Sequence, residues 1–182
     1  MTLYAKSPEL TQTERVEALK QFQEFQNKVK QKDIKSLYKM IDPTVYRTGY
    51  LASGEKGPEF CLAGGSNNTK MTEKEAMQCK DNIIKNLNDL LQVTVDLKKQ
   101  ILMPAKLDGA KRLCVREISG GFKYTADDPV WLQRKLGLIV RASDDYNPKN
   151  KSSFEDGCVQ TASYFFEFKN SKLKLVYTQY LP

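Results

Sequence analysis

The closing stretch of the chain, residues 164–177, places aromatic or aliphatic side chains at every second position, with polar ones between many of them. That period is typical of a β-strand with one buried face, and Asn170-Ser171 in the middle suits a two-residue hairpin turn. The turn predicts these cross-strand pairs: Phe168 with Leu173, Phe166 with Leu175 and Tyr164 with Tyr177 on the apolar face, and Glu167 with Lys174 on the other. Such a sheet must bury its aromatic face, so the chain needs helices to cover it.

Amphipathic segments earlier in the chain are able to supply those helices. A capping box at residues 11–14 and apolar residues at steps of three and four predict a helix to about residue 30. Asp33 is the predicted N-cap of a second, short helix that ends before Asp42-Pro43. A further capping pattern within residues 71–75 opens a third helix, which we expect to reach about residue 92.

The second half of the chain is predicted to form mostly strands. No helical pattern interrupts the predicted antiparallel strands, which are residues 112–118, 135–142, 159–169 and 172–180. Residues 44–51 are predicted as an additional short strand. The expected fold class is α+β, with three helices packed on one face of a curved antiparallel sheet of about four to six strands. We expect one domain at residues 11–182, preceded by a disordered leader at residues 1–10.

Four cysteines constrain the compartment. No two of them are closer than 18 residues, so no CxxC unit of a zinc ribbon or redox motif is present and we expect no metal site. Two disulfides in an oxidising compartment fit this spacing, and four reduced, buried thiols in a cytosolic protein are the alternative. The favoured pairing is Cys61 with Cys79, a loop with a nearby helix, and Cys114 with Cys158, two predicted strands. Met1–Pro8 lacks signal-peptide features, and we expect a periplasmic or secreted protein whose signal is not in this sequence.

Histidine is absent from the chain, which excludes whole classes of mechanism. A Ser-His-Asp or Cys-His hydrolase requires an imidazole as its base, and a His-bearing zinc or iron site requires an imidazole as a metal ligand. Carboxylate or lysine chemistry remains open, and no cofactor is expected. No apolar run approaches the ~20 residues of a membrane-spanning helix.

Several short motifs are predicted to be turns rather than sites. The acidic pairs Asp127-Asp128, Asp144-Asp145 and Glu155-Asp156 would suit acid–base pairs or calcium ligands, but Asp is favoured in turns for its local hydrogen bonds. Gly120-Gly121 lacks the Lys-Ser/Thr of a phosphate loop and is also predicted to be a turn. Residues 54–69 form a long turn-rich segment, either a functional loop or a surface excursion tied by a disulfide.

Two segments carry a resemblance to a known fold. They are residues 22–40, FQEFQNKVKQKDIKSLYKM, and residues 164–177, YFFEFKNSKLKLVY. With the order of predicted elements, they resemble the nuclear transport factor 2-like superfamily, a cystatin-like cone. The resemblance implies a concave face lined by the hairpin aromatics. Enzymes with this fold place His, Asp or Tyr side chains in the mouth of the cone, whereas other members of the superfamily are binding proteins without catalytic activity. The candidate residues, for a core or for a pocket, are Phe22, Phe25, Trp131, Tyr164, Phe166, Phe168, Leu175 and Tyr177.

The charge balance and the missing imidazole favour a binding function. Lys and Arg number 29 against 22 Asp and Glu, a net charge of +7, but the lysines are dispersed, which favours a solvated basic surface over a nucleic-acid face. We predict a non-catalytic exported domain that binds another protein, such as a bacterial immunity or inhibitor protein. A pocket for an apolar or aromatic small molecule and a carboxylate- or Lys-based enzyme are the alternatives. Trp131 is predicted to be a core anchor, with an interface hot spot as the other interpretation.

Overall fold

The computed structural model describes residues 9–48, 51–52, 61–62, 69–107, 112–150, 158 and 160–181. The helices are α1 (Gln12–Lys30), α2 (Ile34–Met40), α3 (Val45–Thr48), α4 (Glu73–Gln78) and α5 (Lys80–Leu87), with 3₁₀ turns at Asn88–Gln92 and Leu132–Arg134. The strands are β1 (Thr94–Asp96), β2 (Ile101–Met103), β3 (Ala105–Leu107), β4 (Cys114–Gly121), β5 (Gly137–Tyr146), β6 (Gln160–Lys169) and β7 (Lys172–Leu181). The fold class is α+β, as predicted.

Local capping signals start and stop the first two helices. The Thr11 hydroxyl accepts the amide hydrogen of Glu14, whose carboxylate accepts that of Thr11, so the predicted capping box is confirmed. The amides of Lys32 and Asp33 bond back to α1 carbonyls in a Schellman arrangement, and Lys32 takes the left-handed conformation with φ 56°. Asp33 then caps α2 through the amide of Ser36, also as predicted.

Strands β3 to β7 form one curved antiparallel sheet in which each strand pairs with its neighbour in sequence. Strands β1 and β2 make a separate two-stranded sheet. The four long strands lie at the predicted positions to within a few residues, whereas β1, β2 and β3 were not predicted from the sequence. Three-residue strands show too little alternation to be recognised.

The last hairpin confirms the predicted register up to one point. Its turn residues Asn170 and Ser171 both have positive φ, 52° and 58°, the geometry of a type I′ turn. The pairs at Phe168, Phe166 and Glu167 are as predicted. Between Phe166 and Phe165 a β-bulge adds one residue to β7, so Tyr164 lies opposite Thr178 and not opposite Tyr177. Because one extra residue reverses the alternation, Tyr177 faces away from the helices.

The main core fills the space between the helices and the sheet. Phe166 packs edge-on against Phe22 and Phe25, with ring centroids 5.4 Å and 5.1 Å apart. Tyr164, Phe168 and Leu175 are buried in the same cluster. These six candidate residues therefore lie in the core. Leu10 is also buried in this core, so the predicted disordered leader, residues 1–10, extends at least one residue too far toward α1.

Four local predictions about secondary structure are wrong. Residues 45–48 form the short helix α3 instead of a strand. The third helix is split at Cys79 into α4 and α5. Gly120-Gly121 lies within β4, where a Cβ on Gly120 would meet a Leu102 methyl carbon at 2.4 Å. Asp144-Asp145 lies within β5.

Other predictions fall partly or wholly outside the residues described. These are the leader up to residue 8, most of residues 54–69, and Glu155-Asp156. Asp128, by contrast, lies in the expected turn and accepts the amide hydrogen of Thr125.

Both disulfides are present in the favoured pairing. Cys61 pairs with Cys79 and Cys114 with Cys158, with Cα–Cα distances of 5.1 Å and 5.4 Å. The first bond links Cys61 to Cys79, at the junction between α4 and α5. The second links Cys114, the first residue of β4, to Cys158, which lies two residues before β6. Two disulfides are compatible with an oxidising compartment. Among the described residues, none of the helices has the length and hydropathy to cross a membrane.

Candidate interaction surface

The outer face of the sheet, turned away from the helices, is organised in rows that run across the strands. Register places Ile139, Phe165 and Tyr177 side by side on β5, β6 and β7. The next row on the same face is polar, with Arg141 and Ser163 at its centre. The outer face therefore has an apolar end beside a polar middle, and the β7 bulge adds Tyr177 to the apolar end by turning it outward.

The segment between β4 and β5 folds over this apolar row. Leu132 is buried with Ile139 and Phe165 in a second hydrophobic cluster, separate from the main core. The ring of Tyr124 lies 5.6 Å from that of Phe165. The apolar row is thus partly covered by the chain's own connecting segment.

Trp131 lies at the open edge of this cluster. Its ring stands edge-on to Tyr177, with centroids 5.4 Å apart, and it is 48% exposed. Its neighbour Val130 is 65% exposed. The predicted role of Trp131 as a core anchor is therefore wrong, because the main core lies on the other face of the sheet. We call Val130, Trp131, Val176 and Tyr177 the aromatic ledge.

Charged groups around the ledge hold it in place. The Lys135 ammonium lies 5.5 Å from the centre of the Trp131 ring and 3.2 Å from Oε2 of Glu167. On the sheet, Arg141 Nη2 lies 2.6 Å and 2.5 Å from the two carboxylate oxygens of Asp128. Hydrogen bonds between charged groups are about twice as strong as neutral ones. Both pairs tie the β4–β5 segment to the strands beneath it.

Tyr124 adds a hydrogen bond within that segment. Its hydroxyl donates to the backbone carbonyl of Lys135. Burial raises the pKa of Tyr124, and the negative charges of Asp128 and Glu167 raise it further. The phenol therefore stays protonated as a donor, and the ledge is presented on a preorganised support.

A second polar cluster lies on the helix-facing side of the sheet. Arg116 Nη2 is 2.6 Å from Oδ1 of Asp89, and Nη1 is 3.8 Å from Oδ2 of Asp144. The Tyr164 hydroxyl donates to the carbonyl of Asn86 at 2.5 Å, and burial raises the pKa of Tyr164, with Asp89 adding to the effect. The cluster ties β4 and β5 to the 3₁₀ turn at residues 88–92. Its carboxylates are paired with one guanidinium, an arrangement of structural ion pairs rather than of a free acid and base.

A separate concave feature is an open groove beside α2. Tyr38, Pro43 and Met71 line it, the Tyr38 hydroxyl donates to the Met71 carbonyl at 2.8 Å, and its volume is about 480 Å³. Among the described residues, no three or more Cys, Asp or Glu side chains are grouped so that they could hold a metal ion.

Sequence reasoning identified Trp131 and Tyr177 but not the surface they form together. Val130, Lys135 and Arg141 were missed. An available signal was Val130-Trp131 directly after Pro129 in a turn-rich segment, since large apolar residues in turns are often exposed. Comparison of the chain with family models, with curated proteins and with solved structures finds no match.

Proposed function

We propose that this chain is a non-catalytic, exported domain that binds another protein through the aromatic ledge. The observation that carries the proposal is the half-exposed Trp131, held edge-on to Tyr177 above a buried apolar row. Protein interfaces concentrate their binding energy in a few such aromatic residues, surrounded by a polar rim. Here the rim consists of the Lys135–Glu167 and Arg141–Asp128 pairs.

The charges beside the ledge favour an acidic partner. Glu167 and Asp128 are already paired with cations, whereas Lys169 and Lys172 lie directly opposite each other at the hairpin end and are both exposed. Like charges in that position repel, and carboxylates on a partner would relieve the repulsion. The net charge of +7 acts in the same direction at longer range.

Periplasmic or secreted location and a role such as a bacterial immunity or inhibitor protein are parts of this proposal. Two disulfides support the location. Relationship to the nuclear transport factor 2-like superfamily is a further part, supported by the order of helices followed by an antiparallel sheet.

Site-specific photo-crosslinking in the native cell tests the proposal. A photoreactive residue replaces Val130, and a matched one replaces Glu24, which is exposed on α1. We expect one stoichiometric cross-linked protein from position 130 and none from position 24, with the product lost when Trp131→Ala is added. Equal labelling from both positions, no product at all, or labelling that is insensitive to Trp131 contradicts the proposal.

A second candidate function is favoured by the open groove beside Tyr38. Its volume of about 480 Å³ lies within the range of small-molecule sites, about 300 to 1,000 Å³. Binding of an apolar ligand there predicts an added mass in native mass spectrometry of the protein purified from its own cell, lost in Tyr38→Ala. A protein that carries no added mass excludes this candidate.

A further inference from the structure

A basic groove lies on the helical side of the molecule, away from the outer face of the sheet. It runs between the last turn of α1 and the exposed side of α5 with the 3₁₀ turn that follows. Its floor is formed by Val29, Ile84 and Leu91, and its cations are Lys30, Lys32 and Lys85. We call these six residues the lysine groove. They come from segments more than fifty positions apart in sequence, so the fold creates the groove.

The charges in the groove are not balanced. Lys28, just outside it, is paired with Asp33 at 3.4 Å. None of the three groove lysines makes an ion pair within the described part of the chain, and the one acidic residue that lines the groove is Asp81. Three cations against one carboxylate leave the groove positive. A ligand with negative charge therefore complements it.

The backbone at Lys32 adds to this charge argument. Lys32 occupies the left-handed position of the Schellman cap, φ 56°, where glycine has the lowest backbone strain. A lysine there places a cation at the end of the groove in spite of the strain. Strained positions of this kind are often functional.

The size and chemistry of the groove select the class of ligand. Its volume of about 270 Å³ is below the range of small-molecule pockets, about 300 to 1,000 Å³. Among the described residues that line it, none is an aromatic ring on which a nucleic-acid base could stack. Leu91, 36% exposed, offers an apolar surface that a polyanion would not use.

We propose that the lysine groove binds an acidic segment of a partner protein, one that sets an aliphatic side chain against Ile84 and Leu91 with carboxylates on either side. The lysines attract and orient the carboxylates, and the floor removes the aliphatic group from water. Such a site is a second docking point, independent of the aromatic ledge.

The test uses a fluorescein-labelled acidic peptide with one central leucine flanked by Glu and Asp, and a matched peptide with serine in place of the leucine. Fluorescence anisotropy with the full, oxidised protein is expected to show binding of the leucine peptide that weakens with added salt. The combined variant Lys30→Glu, Lys32→Glu and Lys85→Glu is expected to lower affinity at least about tenfold, and the serine peptide to bind at least about threefold more weakly.

The matched control carries the same change of net charge elsewhere, as Lys98→Glu, Lys99→Glu and Lys123→Glu, all exposed outside the groove. It is expected to lower affinity less than about threefold. Urea unfolding of all variants confirms that they are folded. Absence of binding, an equal loss in the control, or an equal affinity of the serine peptide overturns the proposal. So does a single-stranded oligonucleotide that binds more tightly than the peptide through the same lysines.

Discussion

Removal of either disulfide is expected to destabilise the protein by an amount set by the length of chain that it closes. Cys61–Cys79 spans a sequence separation of 18 and Cys114–Cys158 one of 44. The chain-entropy relation for cross-links converts these to about 3.2 kcal/mol and about 4.0 kcal/mol at room temperature. Two double variants, Cys61→Ala/Cys79→Ala and Cys114→Ala/Cys158→Ala, test this. Equilibrium urea unfolding with linear extrapolation gives the free energy of unfolding of each.

Reduction of the unmodified protein is the companion measurement. Loss of both cross-links removes about 7 kcal/mol, which is comparable to the whole stability of an ordinary domain, about 5–15 kcal/mol. We therefore expect the reduced protein to unfold at a much lower urea concentration than the oxidised one. An unchanged midpoint in reductant, or a larger loss from the shorter loop than from the longer, would refute the loop-entropy reasoning.

Three further experiments probe the sheet, the α1 cap and the half-buried carboxylate of Asp42. Gly137→Ala places a Cβ 2.2 Å from the backbone carbonyl oxygen of Phe166 on β6, so it should lower the free energy of unfolding, measured in urea, by more than about 3 kcal/mol. The control Gly121→Ala meets no atom within 4 Å and should lower it by less than about 1 kcal/mol. Similar losses in the two variants would contradict the clash. Lys32→Gly should stabilise by about 0.5–1 kcal/mol, visible as a raised Tm, because it relieves the positive φ; a lowered Tm would show that no strain is present. Burial opposes ionisation of Asp42, but hydrogen bonds from Thr44 hold its pKa below the ordinary 3.8, so its stabilising effect is present above about pH 4 and is lost as pH falls through the folded-state value. Stability measured from pH 5 down to pH 2 should therefore fall less steeply in Asp42→Asn, and parallel curves would exclude this contribution.

Elements set by adjacent residues were predictable from sequence. The hydroxyl of Thr11 and the carboxylate of Glu14 meet across one helical turn, so four residues contain the whole signal. The turn at Asn170 and Ser171 likewise fixes the register of the residues nearest to it. The disulfide pairing was favoured from the predicted secondary structure. Cys61–Cys79 joins a loop to a nearby helix, and Cys114–Cys158 joins two predicted strands.

The candidate surfaces depend on contacts between distant segments, which the sequence does not display. The aromatic ledge needs Trp131 to meet Tyr177, and Tyr177 reaches the outer face through a bulge that no turn residue signals. The lysine groove needs Lys32, which lies just beyond the end of α1, and Lys85 on α5 to line the same groove. In the same way, the split of the third helix occurs at Cys79, which is held by a partner 18 residues earlier.

The bulge in β7 links the interior of the protein to its exterior through a simple count of residues. Within β7 (Lys172–Leu181), Val176 is the one residue that has no partner on β6. Were it deleted, every side chain between it and the end of the strand would exchange sides: Tyr177 would enter the interior and Thr178 would leave it. This single residue therefore determines both which β7 side chains pack in the core and which lie on the outer face. The length of β7 is thus constrained by core packing and by the outer surface together.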